Sequence, residues 1–315
     1  MKNNPTPSSR PLGKSAARQI PLRDVEESLM YVDAGLTDEN QRAYAKSVAP
    51  RAREALSRIH TSDGGQRLLD VGCYGQWIGA YVNLLGYRDV TGIAHGEDAG
   101  LGCDMPVKMG SRDFKLRSDF FDIETDSFPY DDESFDVVVC CEVLEHLVRD
   151  PMQVMSEINR VVKIGGQLVF QTPNSASLRT MLRTIAGLQP YSYSVYHGVG
   201  VDRHNREFTT AELVRLIENS GFSVKTAETF RFRKTSWLMR LAKVLTIPAA
   251  IAGKCPLGWR NDVSMVVAEK VDGVLERWPS WLYSDPWFIE PWYRKHGGPV
   301  GQRRLTEWQR EKTAA

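Results

Sequence analysis

The sequence predicts an α/β fold, with a Rossmann-like sheet of seven mostly parallel strands and helices on both faces. From Arg67 to Lys270, short apolar runs alternate with segments of helical period, which is the pattern of strands joined by crossover helices. One run, FDVVVCC at 135–141, is continuously apolar, as expected for a parallel strand buried on both faces. Another, RLLDVG at 67–72, passes from a strand into a glycine turn. Ligands of such sheets bind beyond the carboxyl ends of the strands, so this turn is a candidate nucleotide site.

The first elements can be justified in order along the chain. Before the glycine turn the chain is mostly helical in pattern, and Pro50 suits a first-turn position. After the turn, WIGAYVNLLG is predicted to form a helix that ends at Gly86, and DVTGIA to form the second strand. Beyond FDVVVCC, Asp150 is predicted to cap a helix with Pro151 at its first position, which the glycine pair at 165–166 stops.

The later elements complete the sheet and divide the chain. QLVFQT, FSVKTAETF and DVSMVVAEK are predicted strands, and Thr209 with Glu212 forms a capping box that opens the helix TAELVRLIENSG. We expect a disordered tail over 1–24, an α/β domain with N-terminal helices over 25–270, and a Trp- and Pro-rich extension over 271–315. The extension is expected to pack its aromatic rings on the core, the alternative being an aromatic platform for a sugar or lipid-linked substrate.

The composition excludes several classes of protein. With 40 basic and 39 acidic residues, the formal charge of +1 argues against a chain built to neutralise nucleic-acid phosphates. Five cysteines without paired spacing favour reduced thiols and a cytoplasmic location. The N-terminal stretch lacks the apolar core of a signal peptide. The apolar segment 237–252 is interrupted by charges and a proline, so we expect no transmembrane span, while peripheral contact with a membrane surface stays open.

Four stretches in a fixed order make the interpretation specific. They are DVGC, SFPYDDESFDVVVCCEVLEHL, INRVVKIGGQLVFQTPN and RHNREFTTAELVRLIENSGF. Together they resemble the class I S-adenosylmethionine-dependent methyltransferases, in the branch with D-x-G-x-G-x-G, E-V-L-E-H-L and T-P-N landmarks. The resemblance covers 67–270, makes 25–270 the methyltransferase domain, and implies S-adenosylmethionine as cofactor. NAD and FAD are disfavoured, because the turn lacks G-x-G-x-x-G.

The resemblance implies which residues hold the cofactor. Asp70 begins the turn that holds the methionine end, Gly72 lets the backbone come close, and Asp122 corresponds to the acid that binds the adenine amino group. We assign the neighbouring turn residues and the first glutamate of EVLEHL to the same site. The expected cofactor-binding set is Asp70, Gly72, Cys73, Gly75, Asp122 and Glu142.

Two positions depart from the family pattern. The second and third glycines of the turn fall on Tyr74 and Gln76. The acid that usually takes both ribose hydroxyls is replaced by Ala94, which would cost two charged hydrogen bonds of about 1.5–3 kcal/mol each if nothing replaced it. Glu97 or Asp98, a few residues later, is the expected substitute.

A second group of residues predicts a metal site. Glu142, Glu145 and His146 lie at i, i+3 and i+4, so they share one face of a helical turn. The sequence is also similar to small-RNA 3′-terminal 2′-O-methyltransferases, which bind a divalent metal through E-x-x-E-H and a distant histidine in H-x-x-E-[aromatic]-T. His204, in HNREFT, matches that histidine. The resemblance implies Mg²⁺ or Mn²⁺ on these four residues, where the metal would acidify a hydroxyl of a bound diol.

Without a metal, the same histidines have a different role. His146 or His204 would then be the catalytic general base, because an imidazole titrates near neutral pH. His197 is expected to be a packed or surface residue. Three tyrosines near it lie in the long connection after TPN and would shape an acceptor pocket for a sugar ring. They are Tyr191, Tyr193 and Tyr196.

RHNRE together with TPN also resembles bacterial methyltransferases assigned to capsule, lipopolysaccharide or other glycan assembly. That resemblance implies an O-methyltransferase that acts on a sugar or glycan hydroxyl, with a small molecule or glycan rather than nucleic acid as partner. Two other enzymes remain as alternatives, a quinone-precursor O-methyltransferase and an RNA 3′-end O-methyltransferase. A non-catalytic scaffold with the methyltransferase fold is the alternative from another class.

Overall fold

A computed structural model describes residues 17–31, 39–73, 77–94, 102, 105–109, 112–190, 203–231 and 260–283. The helices are α1 (Leu22–Tyr31), α2 (Glu39–Leu56), α3 (Ile78–Leu85), α4 (Pro151–Val161), α5 (Leu178–Ile185) and α6 (Thr210–Asn219), with a 3₁₀ turn at Leu144–His146. The strands are β1 (Arg67–Val71), β2 (Asp89–Ala94), β3 (Met105–Met109), β4 (Arg112–Phe120), β5 (Phe135–Cys141), β6 (Val162–Pro173), β7 (Phe222–Phe230) and β8 (Val263–Lys270).

The strands form one sheet in the order β3-β4-β2-β1-β5-β6-β8-β7. Pairs within β4-β2-β1-β5-β6 are parallel, whereas β8 runs antiparallel to both β6 and β7. The predicted α/β class and mostly parallel sheet are confirmed, and the antiparallel strand β3 adds an eighth strand at the edge. The strand order reverses between β1 and β5, so the crevice for a ligand opens at the carboxyl ends of these two strands.

Helices cover both faces of the sheet, as predicted. One face packs on α1, α2 and α3 through a continuous buried cluster that includes Val137, Val139 and Val169. Side chains alternate along a strand, so the neighbours of these residues point the other way, toward α4 and α6. The hydroxyls of Thr210 on α6 and Ser264 on β8, 2.8 Å apart, mark that second face.

Most helix boundaries match the sequence signals. Asp150 caps α4, Thr209 and Glu212 form the capping box of α6, and Gly86 ends α3 in a left-handed conformation. Two expectations are wrong. Pro50 lies inside α2 rather than in its first turn, and α4 ends at Val161, so the glycine pair that was expected to stop it belongs to β6.

The ends of the chain differ from the predicted boundaries. Part of the expected tail is ordered, because α1 begins at Leu22 and Ile20 is buried against the core. The rest of the tail, 1–16, lies outside the described residues, as does the apolar segment 237–252. The chain divides into two compact units, 1–277 and 278–315, rather than at Lys270. Within the described residues, none of the helices combines the length and apolarity needed to cross a bilayer.

Candidate active site

The turn after β1 has the geometry of a close backbone approach. Gly72 has φ 85°, a conformation that favours glycine, and a Cβ at this position would lie 2.3 Å from Val143 Cγ2. The backbone N–H groups of Gly72 and Cys73 both donate to the carbonyl of Ile93 on β2, at 2.9 and 2.7 Å. The turn is therefore held against the end of β2. Gly75 lies outside the described residues.

Replacing Gly72 with alanine tests the tightness of this turn. We expect the variant to lose roughly 2–4 kcal/mol of the free energy of unfolding, because the new methyl group strains the backbone and collides with Val143. Urea unfolding of the cofactor-free protein measures the loss. Gly187→Ala is the matched control, since Gly187 also has positive φ but a Cβ there meets nothing within 4 Å. Equal losses in both variants would show that the collision with Val143 contributes nothing.

Asp70, at the carboxyl end of β1, is a buried acid. Its side chain is buried, and this burial raises its pKa to about 7, although hydrogen bonds with Cys73 and Tyr81 favour the carboxylate. Cys73 is itself buried beside Gly92, where a Cβ would come within 2.8 Å of the Cys73 sulfur. Asp70 is thus a titratable group at the point where the strand order reverses.

The expected adenine and ribose contacts lie near the ends of β2 and β4. Asp122 is half-buried, accepts from the N–H of Glu124 at 2.9 Å and faces Arg149 at 3.6 Å. Ala94 ends β2 beside Phe120 of β4.

A nearby acid is already engaged by other groups. Asp119 is fully buried and accepts from Arg117, from the Tyr130 hydroxyl at 2.7 Å and from the N–H of Gly102 at 2.8 Å. Because these three donors already satisfy its carboxylate, we assign Asp119 a structural role and not a role in binding ribose. The expected substitutes, Glu97 and Asp98, lie outside the described residues.

Glu142 occupies a strained position after β5. Its φ is 58°, which is uncommon for a residue other than glycine, and such strain concentrates at functional sites. Its carboxylate pairs with Arg51 of α2 and accepts from Gln171 Nε2 of β6 at 3.1 Å. The structure therefore directs Glu142 toward the face covered by α2, and not into the metal-binding group that the sequence predicted.

The other three predicted ligands converge. Glu145, His146 and His204 each offer a ligand atom, and these atoms all lie within 4.8 Å of one another. Glu145 Oε1 lies 3.9 Å from His146 Nε2, and the two imidazole rings meet edge to face with centroids 5.1 Å apart. Glu145 Oε1 is buried and has no hydrogen-bond partner among the described residues. Its second oxygen accepts from the Thr172 hydroxyl at 2.9 Å.

A loop that is distant in sequence holds His204 in this cluster. The carbonyl of Glu145 accepts from the N–H of Asn205 at 2.7 Å, and Asn205 Nδ2 donates to the carbonyl of His146 at the same distance. Glu207 Oε1 lies 2.7 Å from His204 Nδ1, which leaves Nε2 of that ring for the cluster. Carboxylates commonly orient metal-binding histidines in this way.

Sequence reasoning missed several of these supporting residues. The pairing of Arg51 with Glu142, and of Thr172 with Glu145, joins residues far apart in the chain, so no local signal could reveal it. Glu207 was a candidate from the sequence, as a member of the HNRE cluster with His204, but its pairing with that histidine was not predicted. The residues 191–202, with the predicted tyrosines and His197, lie outside the described part of the chain.

The electrostatics of the cluster suit a cation. Burial raises the pKa of Glu145 well above its usual value, and the nearby carboxylates of Glu142 and Glu207 raise it further. A buried carboxylate oxygen without a partner, beside two imidazoles, matches the ligands that divalent first-row metals take. Two nitrogen donors favour Mn²⁺ or a similar borderline ion over Mg²⁺.

The sequence matches the model of one known protein family over more than half of its length. Residues 42–227 match the family model described as a methyltransferase domain. The chain belongs to this methyltransferase family. The match spans the turn after β1, the EVLEHL segment and the HNREFT loop, so the predicted class I S-adenosylmethionine-dependent methyltransferase is confirmed.

Three individual proteins that this methyltransferase is similar to share 20–36% sequence identity with it. A ubiquinone biosynthesis O-methyltransferase of Shewanella pealeana is 28% identical over 60% of this chain and 76% of its own length. The ubiquinone biosynthesis O-methyltransferase of Pseudomonas putida is 36% identical over 35% of this chain and 45% of its own length. A solved S-adenosylmethionine-dependent methyltransferase of Mesorhizobium loti is 20% identical, with a TM-score of 0.43 over 71% of this chain and 98% of its own.

Proposed function

We propose that this methyltransferase transfers the methyl group of S-adenosylmethionine to one oxygen of a vicinal diol, assisted by a divalent cation. The observation that carries the proposal is the convergence of Glu145, His146 and His204 around an unpartnered buried carboxylate oxygen. A diol can chelate a cation through two oxygens, and that fixes which oxygen meets the methyl group.

The cofactor end of the site follows from the turn after β1. Gly72 and Cys73 keep the backbone open beside Asp70, so this turn would hold the methionine end of S-adenosylmethionine. Glu142 borders the same crevice, where Arg51 and Gln171 fix its carboxylate. Methyl transfer is an in-line displacement, so rigid placement of cofactor and acceptor supplies much of the catalysis.

The acceptor end follows from the cluster. Glu145, His146 and His204 would hold the cation, Thr172 and Glu207 keep two of these ligands in place, and water is excluded from Glu145 by its burial. The cation supplies Lewis acidity, which makes a coordinated hydroxyl more acidic. In the absence of a cation, His204 paired with Glu207 is the group placed to accept the hydroxyl proton.

A dihydroxylated quinone precursor is the acceptor class we place first. The support is that both curated relatives named above are ubiquinone biosynthesis O-methyltransferases. A sugar diol, the acceptor expected from the sequence, offers the same pair of oxygens and is the second class. An RNA 3′ end also carries a diol, but the near-neutral charge of the chain disfavours it.

Methyl transfer from labelled S-adenosylmethionine to soluble compounds tests the function. We expect turnover with a catechol or with a sugar diol, and none with the singly hydroxylated analogue of the productive acceptor. EDTA should abolish turnover, and added Mn²⁺ should restore it. Calorimetry should show Mn²⁺ binding to the wild-type protein and none to His204→Ala, which gives a readout independent of activity. Full activity in EDTA would contradict metal assistance, and no cofactor binding at millimolar concentration would favour a non-catalytic scaffold.

A further inference from the structure

The short helix α5 has an unusual distribution of apolar residues. Leu178, Met181, Leu182 and Ile185 recur at i, i+3, i+4 and i+7, so they form one stripe along the helix. Only Leu178 is buried. Met181 and Leu182 are partly exposed, and Ile185, at the end of the helix, is 80% exposed.

The exposed tip continues beyond the helix. Leu188, just after the end of α5, is 55% exposed, so two large apolar side chains three positions apart in the chain are both exposed. Isolated exposed apolar residues are ordinary, but a stripe that ends in an exposed pair indicates a contact surface. We call α5 with Leu188 the α5 tip.

The charged side chains of the α5 tip itself are all positive. The stretch 175–190 contains Arg179 and Arg183 and no acidic residue. Arg183 Nε donates to the carbonyl of Gln189 at 2.7 Å, and Arg260 lies alongside, with its guanidinium 3.2 Å from Met181 Sδ. An apolar stripe flanked by arginines is the pattern of helices that lie in the interface of an anionic bilayer.

The α5 tip is joined directly to the candidate active site. Strand β6 carries Thr172, which holds Glu145, and the next residues pair with the loop of His204 through the bridge of Asn174 to Phe208. Ser177 then caps α5. The N-terminal end of α5 therefore lies next to the acceptor end of the site.

We propose that the α5 tip docks this methyltransferase on an anionic lipid bilayer, with Ile185 and Leu188 inserted among the lipids and Arg179 and Arg183 at the phosphates. The docking accounts for delivery of a lipophilic acceptor, and in that respect it rests on the proposed function. A second copy of the chain and another protein are the competing occupants of this surface.

Vesicle flotation of the full chain tests the docking. We expect binding to vesicles of phosphatidylcholine mixed with phosphatidylglycerol, and at least about tenfold weaker binding to phosphatidylcholine alone. Ile185→Ser with Leu188→Ser should weaken binding about tenfold or more, and Arg179→Gln with Arg183→Gln about tenfold. The matched control is Val271→Ser with Leu275→Ser, because these residues are 51% and 65% exposed on another part of the chain.

The outcomes separate the docking from the proposed function. If wild-type protein does not float, or if the control pair weakens binding as much as the α5 pair, the docking is overturned. A change of oligomeric state in the α5 variant, measured by light scattering, would assign the surface to a second copy and also overturn it. Methylation of a soluble catechol should be unchanged in the α5 variant. Flotation without any such turnover would support the docking and contradict the proposed function.

Discussion

Glutamine in place of Glu145 is expected to lower kcat for methyl transfer by about 10³-fold or more, while the affinity for S-adenosylmethionine changes by less than about threefold. Glu145 supplies the buried carboxylate of the cluster, and the amide that replaces it is a neutral and weaker ligand. Steady-state kinetics with calorimetry of cofactor binding measures both quantities. Mn²⁺ affinity should fall together with kcat.

Stability separates this effect from damage to the fold. The Glu145→Gln variant should unfold at the same or a higher urea concentration, because burial raises the pKa of Glu145 and so disfavours its ionised form, whereas the glutamine amide is neutral at every pH. Glu207→Gln should show a smaller loss, about 10- to 100-fold, since it orients His204 without joining the cluster. Glu27→Gln is the neutral control, because Glu27 is exposed on α1 and pairs there with Arg23. Wild-type kcat in the Glu145 variant would contradict the assignment of the site.

Replacing Asp70 with asparagine is expected to stabilise the cofactor-free protein at pH 8 by about 2–4 kcal/mol. Burial raises the pKa of Asp70 to about 7 in the folded state, against an ordinary value of 3.8. The folded protein therefore holds this proton more tightly than the unfolded chain does. The stability that Asp70 contributes is complete below pH 3.8 and is lost as the pH rises to about 7.

Urea unfolding at pH 5 and at pH 8 measures this dependence. The advantage of the asparagine variant over wild type should grow between the two pH values, because asparagine does not titrate. Asp119→Asn is the matched control, as that buried acid pairs with Arg117 and its loss should destabilise the protein at both pH values. An advantage of Asp70→Asn that is equal at pH 5 and pH 8 would show that Asp70 is already ionised at pH 5.

Local patterns predicted the elements well where a single segment carries the information. The apolar run of β5, the capping box of α6 and the glycine end of α3 each depend on neighbouring residues, so the sequence was enough to predict them. The helical region was predicted from Val25, three residues after the start of α1, because that start depends on Ile20 and Val25 reaching a core formed by later segments. The local pattern there resembles that of a tail.

In the candidate site, too, some features could be predicted from local sequence and others depend on the tertiary structure. The sequence by itself determined the class of the protein and the types of residue in its site, since the glycine turn, EVLEHL and HNREFT are each contiguous. Only the tertiary structure decided which of these residues meet. Arg51 and Gln171 hold the Glu142 carboxylate, while Asn205 hydrogen-bonds to the 3₁₀ turn and keeps His204 beside Glu145. These contacts join segments far apart in the chain, and no local pattern encodes which of several possible partners a buried charge finds.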